Sequence, residues 1–124
     1  MTEESRSAAA EAGPQAWLTV PEVAERLGVR VTRVHQLVRD GSLLAFRRDQ
    51  VLRLPVELVP TGEDDLSLMR HLGGVLRLLR DAGYSDDEAL RWLYTPDDSL
   101  PGTPAVALRQ RPTEVKRRAQ ALGF

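Results

Sequence analysis

Residues 19–55, TVPEVAERLGVRVTRVHQLVRDGSLLAFRRDQVLRLP, carry two apolar stripes at helical spacing broken by one glycine, then two β-type runs flanking a polar tetrad. Thr19-Val20-Pro21-Glu22 has the form of a capping box, in which the Thr19 hydroxyl accepts from the Glu22 N–H while the Glu22 carboxylate reaches back. Proline is tolerated in that first turn. Val20, Val23, Ala24 and Leu27 then recur on one face, and Gly28 supplies the left-handed residue that ends a helix of about two turns. A second helix is expected from about 31 to 40, with Val34, Leu37 and Val38 inward and Gly41 as its stop. Residues 43–46 and 51–54 suit strands, with Arg47-Arg48-Asp49-Gln50 as the turn between them.

Two helices joined by a tight turn and followed by a hairpin constitute a winged helix-turn-helix. The expected fold is mainly α with a small β-hairpin wing: a winged helix-turn-helix at 17–59, then a C-terminal helical subdomain at 60–124 packed on it. A disordered tail is expected at 1–16, where Ala, Glu, Ser and Gly leave little to bury.

Beyond Pro55 and Pro60, Leu72, Val75, Leu76 and Leu79 form a third helical face that runs to a Gly83 stop. Ser85-Asp86-Asp87-Glu88 repeats the capping-box form and opens a helix with Ala89, Trp92 and Leu93 inward. A loop at 95–102 and a short turn at Thr103-Pro104 lead to a last helix at 113–122, with Val115, Ala119 and Leu122 inward. Gly73-Gly74 has no preceding strand and no following Gly-Lys-Ser or Gly-Lys-Thr, so it reads as close packing rather than a phosphate loop.

The net charge is only −1, which taken alone disfavours a polyanionic partner. Its distribution reverses that reading. Between residues 30 and 53, six arginines face two aspartates; between 60 and 112, six arginines face nine acids. A basic face set on an acidic body concentrates the attractive field at one place. Arg30, Thr32, Arg33 and Gln36 leave the second helix at its N-terminal turns, where a recognition helix meets base edges, with Arg39 and Arg53 adding charge nearby. Arginine grips guanine O6 and N7 with two hydrogen bonds and glutamine pairs with adenine, so Arg33 and Gln36 are the candidates for sequence readout. Arg47 and Arg48 suit phosphates or a narrow minor groove.

Other chemistry finds little support. There are no cysteines, and His35 and His71 lie apart with no ligand set at metal spacing, so no metal or cofactor is expected. The acids at 86–88 are explained by a helix start, and no enzyme is expected. The N-terminus lacks the basic start and apolar stretch of a secretory signal, and no run approaches the roughly 18 apolar residues of a membrane span. A cytoplasmic, nucleoid-associated protein with no membrane partner is expected.

The string LTVPEVAERLGV with GSLLAFRRDQVLRLP resembles the winged helix of MerR regulators and phage excisionases over residues 17–57, although Arg30 stands where those proteins carry a serine-like cap. That resemblance maps groove-facing positions onto Arg30, Thr32, Arg33 and Gln36 and the wing onto Arg47 and Arg48. DAGYSDDEALRWLYTPDDSLPGTPAVAL is similar to the toxin-binding region of Xre/MbcA/ParS-type antitoxins, with Pro101 in place of a glycine. The winged helix together with Tyr84, the run WLYTPD at 92–97 and the terminal VKRRAQALGF resembles a small actinobacterial family of DNA-binding proteins, whose mycobacterial member is a Ser/Thr protein kinase substrate. This last resemblance implies double-stranded DNA as partner, no enzymatic activity, and phosphorylation in the tail, where Thr2, Ser5 and Ser7 are the hydroxyls.

The expectation is therefore sequence-preferring double-stranded DNA binding by a transcription regulator or nucleoid-associated protein, with recognition helix 31–40 in the major groove and wing 46–51 on the backbone or minor groove. Dimerisation or a protein partner is compatible with so small a reader. The alternative is an antitoxin-like interaction module that holds a protein partner through its C-terminal helices, with Trp92 and Tyr94 as contacts.

Overall fold

The computed structural model describes residues 13–123. Helix α1 (Val20–Leu27) starts as the capping box requires: Thr19 Oγ1 accepts from the Glu22 N–H at 3.3 Å and Thr19 N–H donates to Glu22 Oε1 at 2.7 Å. At its end Gly28 has φ 67°, and the Val29 N–H reaches back to the Ala24 carbonyl at 3.0 Å. Only a residue without Cβ adopts that turn at no cost. Helix α2 (Val31–Arg39) follows, and Gly41 (φ 82°) ends it in the same way, with the Ser42 N–H on the Leu37 carbonyl at 2.9 Å.

The hairpin differs from the sequence expectation in its boundaries. Its strands are β2 (Phe46–Arg48) and β3 (Val51–Pro55), with Arg48 paired to Val51. Asp49 and Gln50 alone make the turn, both at positive φ (54° and 66°), the two-residue geometry whose twist matches that of the strands. Arg47 and Arg48 therefore belong to a strand, and residues 43–45 do not. Leu43 and Leu44, 1% and 2% exposed, enter two different cores instead of joining the ladder.

A third strand, β1 (Trp17–Thr19), pairs antiparallel with β3 in the order β1-β3-β2, with Leu18 opposite Leu54. Three residues are too few to show a period of two, so no strand signal is visible there in the sequence. The pairing continues outward: the Val56 N–H donates to the Ala16 carbonyl at 3.0 Å and the Gln15 N–H to Glu57 Oε2 at 3.2 Å. Gln15 and Ala16, expected in the tail, are thus tied to the sheet edge. The remainder of that tail, residues 1–12, lies outside the described residues.

Past two short 3-10 turns (Val56–Leu58 and Glu63–Asp65) come α3 (Ser67–Asp81), α4 (Asp86–Leu93), α5 (Pro104–Ala107) and α6 (Pro112–Ala121). Ser85 and Glu88 close the second capping box. One core joins Val20, Val23, Val34, Leu37, Leu43 and Leu54 from α1, α2 and the sheet; a larger one joins Leu72, Val75, Leu76, Leu79, Leu93 and Val115 from α3, α4 and α6. Leu122, expected inward, is 38% exposed, because α6 ends one residue before it. Among the described residues no helix is long and apolar enough to cross a membrane.

Arg109 fastens the connector between the cores. Its Nε donates to the Asp65 carboxylate at 3.0 and 3.1 Å, Nη1 to the Glu57 carbonyl at 2.8 Å and Nη2 to the Val59 carbonyl at 3.1 Å. Burial alone would raise the Asp65 carboxyl, but hydrogen bonds from Arg109 and Thr61 and the guanidinium charge outweigh it and hold the group below 3.8. The stability this carboxylate contributes is therefore present in full above pH 3.8 and is lost as the pH falls through its lower folded value. Asp65→Asn is expected to destabilise the chain by an amount that stays constant near neutrality and shrinks below that pH, as followed by urea unfolding across a pH series. Leu72→Ala, in the larger core, is expected to cost about 2–5 kcal/mol with the urea slope unchanged.

Candidate nucleic-acid interface

Helix α2 buries Val34 and Leu37 and turns the opposite side to solvent. Thr32, Gln36 and Arg39 fall at i, i+4 and i+7 and make one exposed stripe, with Arg33 beside it. Arg33 Nη1 donates to Gln36 Oε1 at 3.2 Å, so the two candidate base readers are held together. Arg30 is the N-cap in extended backbone and makes no side-chain capping bond, which leaves its guanidinium for other partners. The backbone N–H groups of the first turn and the positive end of the helix dipole add to the attraction for anions at this end. Val31, 42% exposed in that turn, is an apolar group the sequence reading passed over. A valine where the inward face should begin was its only signal.

The wing distributes its cations over two faces. Directly paired residues share a side of a sheet, and neighbours along a strand alternate. Arg47 pairs with Leu52, which packs on the α1–α2 core, so Arg47 lies on the side turned toward the helices. Arg48 pairs with Val51 and lies on the opposite side, together with Trp17, Phe46 and Arg53. The expectation of two arginines side by side in a turn is corrected accordingly: they flank the wing. Arg48 is set over the Trp17 ring, 4.4 Å from its centroid, and Trp17 meets Phe46 edge to face at 5.9 Å. Arg53 is half-buried in the central strand opposite Thr19 and Phe46, further from the tip than the other cations.

In the C-terminal helices, Trp92 is half-buried beside Tyr84, Glu88, Arg91 and Thr95 around a shallow cleft of about 320 Å3. Tyr94 is 6% exposed, and its hydroxyl donates to Glu57 Oε1 at 2.8 Å. Burial, then the Glu57 hydrogen bond and charge, push that phenol far above its ordinary value. Tyr94 is a core residue and cannot serve as a partner contact, which corrects that assignment. Thr2, Ser5 and Ser7 lie outside the described residues.

Residues 11–59 match the model described as "DNA-binding protein Rv2175c, wHTH domain", and residues 69–123 match "Rv2175c C-terminal domain of unknown function". The DNA-binding protein Rv2175c of Mycobacterium tuberculosis is 39% identical over 119 residues, covering 85% of this chain and 79% of that protein. The chain belongs to the Rv2175c family. The NMR structure of Rv2175c superimposes with a TM-score of 0.74 at 36% identity, over 88% of this chain and 82% of the other. Mostly helical architecture with a small three-stranded antiparallel sheet is thus the Rv2175c fold, and the winged helix is its N-terminal part.

Trp17 and Arg48 are expected to be energetically coupled. In a double-mutant cycle of Trp17→Leu and Arg48→Ala read by urea unfolding, the double variant should be less destabilised than the sum of the single ones by about 0.5–1 kcal/mol, the range for an exposed cation–π pair.

Proposed function

We propose that this Rv2175c-family protein binds double-stranded DNA with sequence preference, as a transcription regulator or nucleoid-associated factor in the cytoplasm. The reading rests on the exposed polar face of α2, which lies within the segment matching the family's winged-helix domain. The relative named above is itself described as a DNA-binding protein. In this reading residues 17–59 are the reading unit and residues 60–124 a helical subdomain that supports it.

Arg33 and Gln36 read base edges from the N-terminal half of α2, with Thr32 and Val31 against neighbouring base edges or a thymine methyl. Arg30 and Arg39 hold phosphates at the two ends of the helix. Arg47 and Arg48, on either side of the wing, take backbone phosphates flanking the groove, and Arg53 contributes mainly to the field behind them. Holding Arg48 on Trp17 lowers the entropy lost when it meets a phosphate. The Trp92 cleft supports a second reading, in which the C-terminal helices also hold a protein partner.

Duplex affinity is expected to fall linearly in log K with log salt concentration, as it does when phosphate contacts release counterions. Arg33→Ala should cost about 1–3 kcal/mol on a preferred site and relax the preference at one base pair, whereas Arg47→Ala and Arg48→Ala should weaken all duplexes alike and each lower the salt slope by about 1. Fluorescence anisotropy with a preferred and a scrambled duplex checks all three. Salt-independent binding, or variants that behave like the parent, would refute the assignment. Trp92→Ala should leave DNA binding intact.

A further inference from the structure

Away from the exposed face of α2, the protein has a cleft of about 550 Å3 where three parts of the chain meet: the turn that leaves α2, the glycine-bearing face of α3, and α6. Arg70, Gly73, Gly74 and Arg77 fall at i, i+3, i+4 and i+7 of α3, so a single helix face offers two guanidinium groups flanking bare backbone. A Cβ at Gly73 would stand 3.5 Å from the Gly41 carbonyl, and one at Gly74 would stand 3.2 Å from Lys116 Cε. Gly74 thus gives the Lys116 stem room that a Cβ would tighten, while a Cβ at Gly73 would meet the α2 exit turn in ordinary contact.

The charge in this cleft is only partly balanced from within. Arg70, Arg77, Arg80 and Lys116 line it against Asp40 and Asp81, a net of +2. Of the four cations only Arg80 has an ion-pair partner among the described residues, Asp86 at 3.1 Å, which does not line the cleft. Like charges held near one another at a concave surface repel unless an anion sits among them. His71, the next residue to Arg70, reports the same local potential: burial first, then the charges of Lys116 and Arg70, hold its imidazole below its usual value.

We propose that this cleft is a binding site for a small phosphate-bearing molecule, seated on Gly73–Gly74 and gripped by Arg70, Arg77 and Lys116. Guanidinium forks and an ammonium suit the several oxygens of a phosphoryl group, and Arg70, Arg77 and Lys116, free of ion pairs among the described residues, outnumber Asp40 and Asp81, which leaves the cleft attractive to an anion. Asp40 and Asp81 are acceptors for hydroxyl or amino groups on the rest of the ligand. Its volume falls within the range of small-molecule sites, about 300–1,000 Å3. The site is independent of the DNA-reading face, yet it includes the Asp40-Gly41-Ser42 turn that ends the recognition helix, so an occupant bridges that helix to the C-terminal half.

The test is a titration of the 15N-labelled full chain with sodium pyrophosphate, beside sodium chloride at equal ionic strength, read from backbone amide shifts. Saturating shifts centred on Gly41, Ser42, Gly73 and Gly74 with pyrophosphate alone are expected. Arg77→Gln, an exposed change that should keep the parent's melting temperature, is expected to weaken this binding about tenfold, the loss of one charge-assisted contact. Lys116→Gln should do the same. Shifts that rise linearly and match those in chloride would overturn the proposal, as would saturation unaffected by Arg77→Gln. If Arg77→Gln instead lowers duplex affinity while pyrophosphate produces no saturating shifts, these cations serve the DNA backbone and the small-ligand site is refuted.

Discussion

The geometry of this protein depends on two consecutive leucines going to different places. Leu43 completes the core under α1, α2 and the sheet, and Leu44 enters the core built from α3, α4 and α6. The segment between α2 and the wing is therefore fixed at both sides by burial, worth about 1.5–3 kcal/mol for each leucine. Gly41, at φ 82°, turns the chain out of α2 just ahead of them. Joined this way, α2 and the wing are packed against the C-terminal half through their own connecting segment.

A second tie acts from the other side of the same junction. Arg109 satisfies two connector carbonyls and the Asp65 carboxylate with one guanidinium, and the Tyr94 hydroxyl adds Glu57 to the network. These contacts are partly buried, where a fully paired group stabilises and a half-paired one is costly. The connector could have been a loose loop by composition, with its prolines and acids. Long-range hydrogen bonds make it a strut.

Charge follows a similar division of labour. Among the described residues the exposed cations of α2 and the wing make no ion pair, while half of the arginines of the second half do: Arg80 with Asp86, Arg109 with Asp65, Arg111 with Glu114 and Arg118 with Asp97. A formal charge of −1 thus conceals clusters of cations without ion pairs among the described residues on α2, on the wing and in the α3 cleft. Near-neutral totals say little about polyanion binding when the pairing is this uneven.

Both capping boxes, the glycine stops at 28, 41 and 83 and the inward faces of α1, α2 and α3 were legible in the sequence, because each is written by contacts within a few residues. The candidate polar face of α2 was legible for the same reason: helical periodicity alone puts Thr32, Gln36 and Arg39 opposite Val34 and Leu37. The facing of Arg47 and Arg48 was not, since it depends on a register set by strand pairing, and a slip of one residue changes which side each one takes. Nor could the chain alone show β1, the burial of Tyr94, or the closing of Gly73 and Gly74 on Gly41 and Lys116. Those features arise where segments far apart in sequence meet, and only the tertiary structure brings them together.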